Sequence, residues 1–331
     1  MVNIAIAGGS GQVSQEILDA LLASKKHTIT ILSRKGAPTV LGRSDIHWKT
    51  VDYDNKLSLV DALRGVHTVL SFIQLLSDPG QKSQRNLIDA SIAAGVKRFS
   101  PSEYGSKGTV DMSWWEGKEK IREYLEEVNA GGQPGLFLNY LAYPHKTSKH
   151  VDPLQSVFDF ENKRAILVED HEDAIMTLTT VADLAAVIAR AAEYEGKWPK
   201  RGGICGNRMT FSEVIELGGR IRGKKLIGPQ SQSAQSRIAD DDYLGEPFSI
   251  DKVSIKDLEA GDLKTSWNLE AVHKAVSDEQ ASSLLKAVSI GILLSSTKGA
   301  WDISNEWNEL LPDFKFTQAD DFLGAVWEGK L

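Results

Sequence analysis

Two basic side chains have types and a spacing that suit proton chemistry. Residues 114–129 carry apolar positions at helical intervals, so Lys118 and Arg122 are expected on one face of a helix. A lysine that is partly desolvated beside another cation has a lowered pKa and can exchange a proton near neutral pH. Several glutamates surround the pair in the sequence, so an ordinary solvated helix face is the alternative. Spacing alone leaves both interpretations open.

A glycine-rich turn is the second group of residues that could do chemistry. It follows the apolar run 2–7 and precedes a helical pattern, which is the context in which such turns bind phosphates. Glycines let the backbone approach a pyrophosphate at a helix N-terminus, where free N–H groups and the helix dipole favour an anion. Ser14 occupies the third glycine position and is small enough to keep the helix close to the strand. The predicted contact residues are Gly8, Gly9, Ser10, Gly11, Gln12 and Val13.

Basic residues end the next apolar run. Ser33, Arg34 and Lys35 follow the predicted strand 27–32, and in dinucleotide-binding folds the end of this strand lies beside the adenosine ribose. An acidic residue there would bind the 2′-hydroxyl and repel a phosphate, whereas two cations suit the 2′-phosphate of NADP(H). Taken alone, such cations would be a solvated strand end. Their position relative to the glycine turn predicts an NADP(H) site.

The tyrosine–lysine acid of common short-chain dehydrogenases is absent. In those enzymes a lysine four residues after a tyrosine lowers the pKa of the tyrosine so that it can pass a proton. None of the seven tyrosines here has a lysine at that distance, so any proton transfer requires another group. The seven histidines show no paired ligand spacing either, and no metal site is predicted.

Alternating strand and helix patterns must position these residues. We predict strands over 2–7, 27–32, 46–51, 67–73, 96–99 and 136–141, and helices over 57–63, 81–94 and 114–129. Such alternation implies an α/β fold of the Rossmann type, with a doubly wound parallel sheet and right-handed crossovers.

The pattern is less regular after residue 143. Short strands are predicted over 165–168, 175–178 and 203–205, an exposed loop over 230–236, and helices over 180–193, 211–221, 255–260, 278–295 and 318–327. We therefore expect an NAD(P)-binding domain over 1–150, to which 172–208 returns. Residues 151–171 and 209–331 would form a smaller, mostly helical substrate domain.

Composition excludes several classes of protein. A net charge of −7 over 331 residues argues against a general nucleic-acid or anionic-membrane surface. Cys205 is the only cysteine, so no intrachain disulfide forms, and a reducing compartment is expected. The apolar run 284–294 is too short to span a bilayer, and no secretory leader is visible. A cytoplasmic protein, monomeric or homodimeric, is expected.

Three motifs carry a family resemblance. They are the glycine turn, the run 51–66 beginning Val-Asp-Tyr-Asp, and the run 84–105, which ends Ala-Gly-Val-Lys-Arg-Phe-Ser-Pro-Ser-Glu-Tyr-Gly. The chain resembles the NmrA-like and isoflavone-reductase-like group of atypical short-chain dehydrogenases. In the isoflavone-reductase branch a helix after these motifs carries a catalytic lysine with an arginine four residues later, which Lys118 and Arg122 match. Both residues are also expected to contact the cofactor, Lys118 near the nicotinamide and Arg122 at a cofactor phosphate.

The resemblance also implies roles for other residues. Tyr143 and His145, after the strand 136–141, would supply a proton or orient a substrate carbonyl, although a lone histidine there is more often structural. Trp114 and Trp115 depart from the family pattern and would form either a hydrophobic substrate wall or part of the core. Asp52 is a further predicted cofactor contact. Four residues after the fourth strand, Ser71, Phe72, Ile73 and Gln74, would line the cofactor, and Ser102 and Glu103 would lie near the nicotinamide. The alternative for Glu103 is a capping carboxylate at a helix start.

Three functions are consistent with these residues. The first is an NADPH-dependent reductase of a hydrophobic, aromatic or polyketide-like small molecule, with Lys118 assisting proton transfer. The second is a non-catalytic NADP(H) sensor that binds a partner protein, as a regulator in the NmrA-like branch does. The third is a redox-neutral enzyme that keeps the cofactor as a scaffold. The lysine and its arginine favour the reductase.

Overall fold

A computed structural model describes residues 1–36, 46–74, 78–125, 133–223, 247–270 and 278–330. Its main element is a parallel five-stranded sheet in the order β3-β2-β1-β4-β5. The strands are β1 (Val2–Ala7), β2 (His27–Ser33), β3 (Ile46–Thr50), β4 (Thr68–Ser71) and β5 (Arg98–Ser100). β1 lies at the centre, where its residues from Ile4 to Ala7 are buried, as expected for a sheet covered on both faces.

Helices cover both faces of this sheet. They are α1 (Gln12–Ser24), α2 (Lys56–Leu63), α3 (Lys82–Ala93), α4 (Glu116–Leu125) and α5 (Val181–Glu193). Apolar residues of α1 and α5 pack together on one face. Those of α2, α3 and α4 pack on the other. The Rossmann-type α/β fold is therefore confirmed. The division into two domains stays a prediction.

The remaining elements surround a second core. They are the strands β6 (Leu136–Phe137), β7 (Phe158–Asp159), β8 (Arg164–Val168), β9 (Ile175–Thr179), β10 (Asn207–Thr210) and β11 (Ser249–Val253), and the helices α6 (Phe211–Arg222), α7 (Ile255–Glu259), α8 (Asp278–Thr297), α9 (Glu306–Leu310) and α10 (Ala319–Trp327). The strands form two three-stranded sheets, β10-β9-β6 and β11-β8-β7. Buried Phe158, Phe211 and Trp301 lie in the core between these elements.

The strand predicted over 136–141 is wrong beyond its second residue. The extended part ends at Phe137, and a 3₁₀ helix, Leu138–Ala142, follows. Over so short a run, the pattern of apolar side chains does not distinguish a strand from a 3₁₀ helix, because Leu138 and Leu141 would be buried in either one. β6 pairs with β9 rather than extending the five-stranded sheet.

The strand predicted over 203–205 is also wrong. Gly203 makes only an isolated bridge to Gln133, and the strand β10 begins at Asn207. A Cβ on Gly203 would lie 2.1 Å from the carbonyl oxygen of Ser304, so the glycine is needed for a close backbone approach.

The fourth strand is shorter than predicted, and the predicted helix over 114–129 begins as a 3₁₀ turn, Ser113–Trp115. Residues 126–129 and the predicted loop 230–236 lie outside the described residues.

In the part of the chain that the structure describes, no helix has the length and apolar character needed to cross a membrane. The apolar run 284–294 lies within α8, where Leu293 is fully buried against the second core.

The start of α6 gives a stability prediction. Thr210 Oγ1 accepts a hydrogen bond from the backbone N–H of Glu213, and the Glu213 carboxylate accepts one from the backbone N–H of Thr210. Thr210→Ala removes one side of this capping box and is expected to lower the free energy of unfolding by about 1 kcal/mol. Urea denaturation measures the loss. Thr210→Ser keeps the hydroxyl and is the control: an equal loss in both variants would contradict a capping effect.

Candidate active site

The turn after β1 is built on a close backbone contact. Gly8 has a φ of +75°, and a Cβ at this position would lie 2.6 Å from the carbonyl oxygen of Phe72. Only glycine fits both the dihedral angle and the space. A Cβ on Gly9 would lie 2.8 Å from the side chain of Ile31 on β2. The glycines thus hold the turn against the ends of both neighbouring strands.

The helix that follows presents an uncapped N-terminus. Gly11 is the N-cap of α1, no side chain caps it, and the first turn holds no acidic residue. Ser14 is fully buried, and its hydroxyl hydrogen-bonds to the carbonyl oxygens of Gly8 and Gly11, at 2.9 and 2.7 Å. The serine at the third glycine position therefore fixes the turn. The backbone N–H groups of the first helical turn remain available to an anion.

A cavity of about 440 Å³ lies beside this turn. It includes ten of the predicted cofactor residues: Gly8, Gly9, Ser10, Gly11, Ser33, Arg34, Lys35, Phe72, Ile73 and Gln74. The residues come from the ends of β1, β2 and β4, which lie side by side at the carboxyl edge of the parallel sheet. Ligands of open α/β sheets bind at this edge, so the structure brings the two sequence motifs into one site.

Charge in this cavity has one sign. Arg34 and Lys35 are exposed and form no ion pair with any described residue, and no acidic residue is among the described residues that line the cavity. The Lys35 backbone N–H donates to Ser33 Oγ at 3.1 Å, which shapes the turn after β2. The cavity therefore favours an anionic ligand at this end.

Sequence reasoning missed five residues of this cavity, which are Ile31, Leu32, Trp48, Tyr53 and Ser83. The Tyr53 hydroxyl donates to the carbonyl oxygen of Leu32 at 3.2 Å and so fixes the end of β2. Burial raises the pKa of Tyr53, against an opposing effect of the nearby Arg34 charge. Trp48 pairs with Ile31 in the parallel register of β2 and β3. This pairing places Trp48 beside the cavity, and knowledge of the register would have predicted its position.

Eight predicted cofactor residues do not line this cavity: Gln12, Val13, Asp52, Ser71 and Ser102, and the three residues Glu103, Lys118 and Arg122 of a second cluster. Val13 packs against the core beneath α1, and Asp52 is exposed and accepts from the backbone of Asp54. Gln12 exchanges two hydrogen bonds with Asp152. The buried Ser71 hydroxyl and the Ser102 backbone N–H both donate to Gln84 Oε1, at 2.8 and 3.2 Å. These contacts support the ends of the strands.

Lys118 is not among the residues that line the cavity beside the glycine turn, and its side chain lies in a buried cluster. Its side chain is almost fully enclosed, and its Nζ lies 4.1 Å from the centre of the Trp115 ring. It forms no hydrogen bond with the described residues, and burial lowers its pKa to about 8. The Glu103 charge raises this pKa and the Arg122 charge lowers it further. An amine with such a pKa exchanges protons close to neutral pH.

Arg122 faces Glu103 rather than the glycine turn. Its Nε donates to Glu103 Oε2 at 2.6 Å, and the two residues line a different cavity, of about 630 Å³. Burial raises the pKa of Glu103, against the lowering effect of the Arg122 and Lys118 charges. The predicted contact of Arg122 with a cofactor phosphate therefore finds no support in this geometry.

Among the described residues, no hydrogen bond or ring contact joins Lys118 to the other predicted catalytic residues, Tyr143 and His145. Tyr143 and His145 line neither of the two cavities. The His145 ring packs edge-on against Trp327, with 4.9 Å between ring centres. The half-buried tryptophans of the 3₁₀ turn pack against the second core, where the Trp115 and Trp301 ring centres are 6.0 Å apart. The contacts thus give Trp114 a core-packing role, whereas Trp115 packs both on Trp301 and against the Lys118 amine.

Among the described residues there is no group of three or more histidine, cysteine, aspartate or glutamate side chains that could hold a metal ion.

Comparison with known proteins identifies the family. The model of the NmrA-like family matches residues 2–234. The chain belongs to the NmrA-like family. A curated relative, oxidoreductase BOA1 of Botryotinia fuckeliana, is 30% identical over 68% of this chain and 77% of its own length. The family predicted from the three sequence motifs is therefore confirmed.

Solved structures of two reductases have the same fold. The Escherichia coli NADPH-dependent quinone oxidoreductase QOR2, complexed with NADPH, superposes with a TM-score of 0.64 at 18% identity, covering 98% of this chain and 99% of that chain. An isoflavone reductase superposes with a TM-score of 0.60 at 19% identity, covering 98% of each chain. At sequence identities of 18% and 19%, these superpositions show that the two proteins share the fold of this chain.

The Gly8 contact in this NmrA-like chain gives a second prediction. Gly8→Ala places a Cβ against the Phe72 carbonyl in a left-handed backbone conformation, so the free energy of unfolding is expected to fall by about 2 kcal/mol. Urea denaturation checks this. Gly108→Ala is the matched control, since its Cβ would meet nothing within 4 Å. Equal stability of the two variants would show that the turn relaxes around the new methyl group.

Proposed function

We propose that this NmrA-like protein is an NADPH-dependent oxidoreductase that reduces a hydrophobic small molecule. The observation that carries the proposal is the cavity in which the glycine turn, the uncapped N-terminus of α1, Arg34 and Lys35 meet with no acidic lining residue among those described. Related proteins support it, since the curated relative reported above is named an oxidoreductase and the bacterial neighbour was solved with NADPH.

The residues of the cavity fit the parts of NADP(H). The turn from Gly8 to Gly11 offers backbone N–H groups and a helix N-terminus to the pyrophosphate, and the missing Cβ of Gly8 allows the close approach. Arg34 and Lys35 offer two cations to the 2′-phosphate, which is the group that distinguishes NADP(H) from NAD(H). The absence of an acidic residue from the described lining removes the repulsion that selects against this phosphate.

Lys118 is the group that we assign to proton transfer. Bound NADPH supplies a hydride, and reduction of a carbonyl or a conjugated double bond takes up one proton as well. The amine is buried, free of hydrogen bonds to described residues, and has a pKa near 8, so it can deliver a proton at neutral pH. A non-catalytic cofactor sensor needs no such amine, which favours the enzyme.

The substrate proposed is aromatic. Trp115 lies against the Lys118 amine, and Phe72 at the edge of the cofactor cavity stacks on Tyr104 with 4.7 Å between ring centres. Two structural neighbours are named a quinone oxidoreductase and an isoflavone reductase. Quinones and isoflavones are planar conjugated carbonyl compounds. Soluble benzoquinones and aromatic enones are therefore the first compounds to test.

Cofactor selectivity tests the phosphate site. Arg34→Ala is expected to weaken NADPH binding about ten- to a hundredfold, because one charge-assisted contact contributes roughly 1.5–3 kcal/mol, and to leave NADH binding within about twofold. Quenching of tryptophan fluorescence on titration measures both dissociation constants.

The control is Arg64→Ala, an exposed arginine whose ion pair among the described residues is with Asp61, three residues earlier. It should bind both cofactors as the wild type does. An equal loss of NADPH and NADH affinity in Arg34→Ala would mean that Arg34 does not contact the 2′-phosphate, and wild-type protein that binds neither cofactor would overturn the proposed function.

A pH profile tests Lys118. The ammonium form donates the proton, so kcat for reduction of a benzoquinone or an aromatic enone is expected to be constant at low pH and to fall above about pH 8 as the amine deprotonates. Lys118→Ala should lower kcat about a hundred- to ten-thousandfold with NADPH affinity retained. Lys120→Ala, an exposed lysine on the same helix, is the control. Full activity of Lys118→Ala would exclude the proposed role.

A further inference from the structure

We infer that Glu103 and Arg122 are positioning residues, which clamp the loop 103–107 onto α4 and so hold the Lys118 amine in its enclosed place. The inference deepens the proposed function, because it concerns the same lysine. It also assigns Arg122 a role different from that expected of it as a phosphate ligand.

The guanidinium of Arg122 is occupied by the loop. Besides the 2.6 Å bond from Nε to Glu103, Nη1 donates to the carbonyl oxygen of Lys107 and Nη2 to that of Ser106, both at 3.1 Å. Nη1 also donates to Glu119 Oε2 on α4 at 3.0 Å. One planar side chain thus binds three residues of the loop and one of the helix. A planar fork with several fixed donors suits this task, and a lysine does not.

The same loop encloses Lys118. A Cβ on Gly105 would lie 2.8 Å from the Trp115 ring and 3.3 Å from Lys118 Nζ, so the glycine backbone lies directly against the amine. The loop is also tied at its far side, because the Gly105 carbonyl accepts from the backbone N–H of Gly135 at 3.2 Å. Lys118 is therefore held between Gly105 and Trp115, one helical turn before Arg122. Loosening the loop would admit water to the amine.

The charges of Glu103 and Arg122 also affect the protonation of the Lys118 amine. The Glu103 side chain is 3% exposed, and its only hydrogen bond to a described residue is to Arg122. The charges that act on the Lys118 amine are those of Glu103, which favours the ammonium form, and Arg122, which opposes it. Lys107 and Glu119 complete the charged groups of the loop and helix around the pair. A neutral residue at position 103 would leave the Lys118 ammonium with a net cationic neighbour.

The direct test measures the pKa of Lys118 without cofactor or substrate. Trace labelling with acetic anhydride across pH 6–11, read by mass spectrometry of the Lys118 peptide, gives the midpoint at which the amine becomes reactive. Glu103→Gln keeps the shape and should move this midpoint down by about one pH unit, because a charge that favours the ammonium form is lost. Glu116→Gln, at an exposed position on the same helix, should leave the midpoint unchanged.

Arg122→Lys separates the two roles of the arginine. It keeps the charge but loses the fork, so Lys118 should become more exposed, its labelling midpoint should rise, and NADPH affinity should stay within about twofold. Arg208→Lys is the matched control, because Arg208 forms an exposed bidentate pair with Asp302. This variant should leave the labelling midpoint of Lys118 unchanged.

Two results would overturn the inference. One is an unchanged Lys118 midpoint in both Glu103→Gln and Arg122→Lys. The other is a loss of NADPH affinity of tenfold or more in Arg122→Lys with the midpoint unchanged, which would assign Arg122 to a cofactor phosphate. Because labelling needs no cofactor, a protein that failed to bind NADPH would contradict the proposed function and leave this test intact.

Discussion

The backbone of Gly8 lies so close to the carbonyl of Phe72 that no side chain fits between them. This contact joins the end of β1 to the segment after β4, the two strands on either side of the point where the chain crosses from one half of the sheet to the other. With Gly8 fixed, the turn delivers Gly11 to the start of α1 and directs free N–H groups to the carboxyl edge of the sheet. The cofactor cavity depends on this single approach.

The second constraint is the cost of an enclosed charge. A buried ammonium is unfavourable unless opposite charge or a polarisable group compensates for lost water. At Lys118 the compensation is incomplete: the amine has the face of Trp115 and a nearby carboxylate, but no hydrogen bond to a described residue. Its lowered pKa is the result. The ion pair between Glu103 and Arg122 offsets part of the energy needed to bury these two charges, because each lies beside a charge of opposite sign.

Much of the cofactor cavity was predictable because its residues belong to short, continuous units. The glycine turn, and the strand end at Arg34, each follow an apolar run whose period shows a strand, and the parallel sheet brings such ends to one edge. The limits of this reasoning appear where partners are distant in sequence. Arg122 meets Glu103, nineteen residues earlier, and nothing in the spacing of α4 indicates that partner. Tyr53 was missed for the same reason, since its hydroxyl reaches across to β2.

The sequence by itself determined the fold class, the order of strand and helix through the first half, and the chemical character of the site, since hydrophobic periodicity and turn composition act over a few residues. Only the tertiary structure decided which of the chemically capable side chains meet. Lys118 is enclosed and has a shifted pKa, whereas the His145 ring packs on Trp327. The reason is physical: burial and charge are properties of the neighbours that folding brings together, and the loop from Glu103 to Lys107 becomes a neighbour of α4 only in the folded chain.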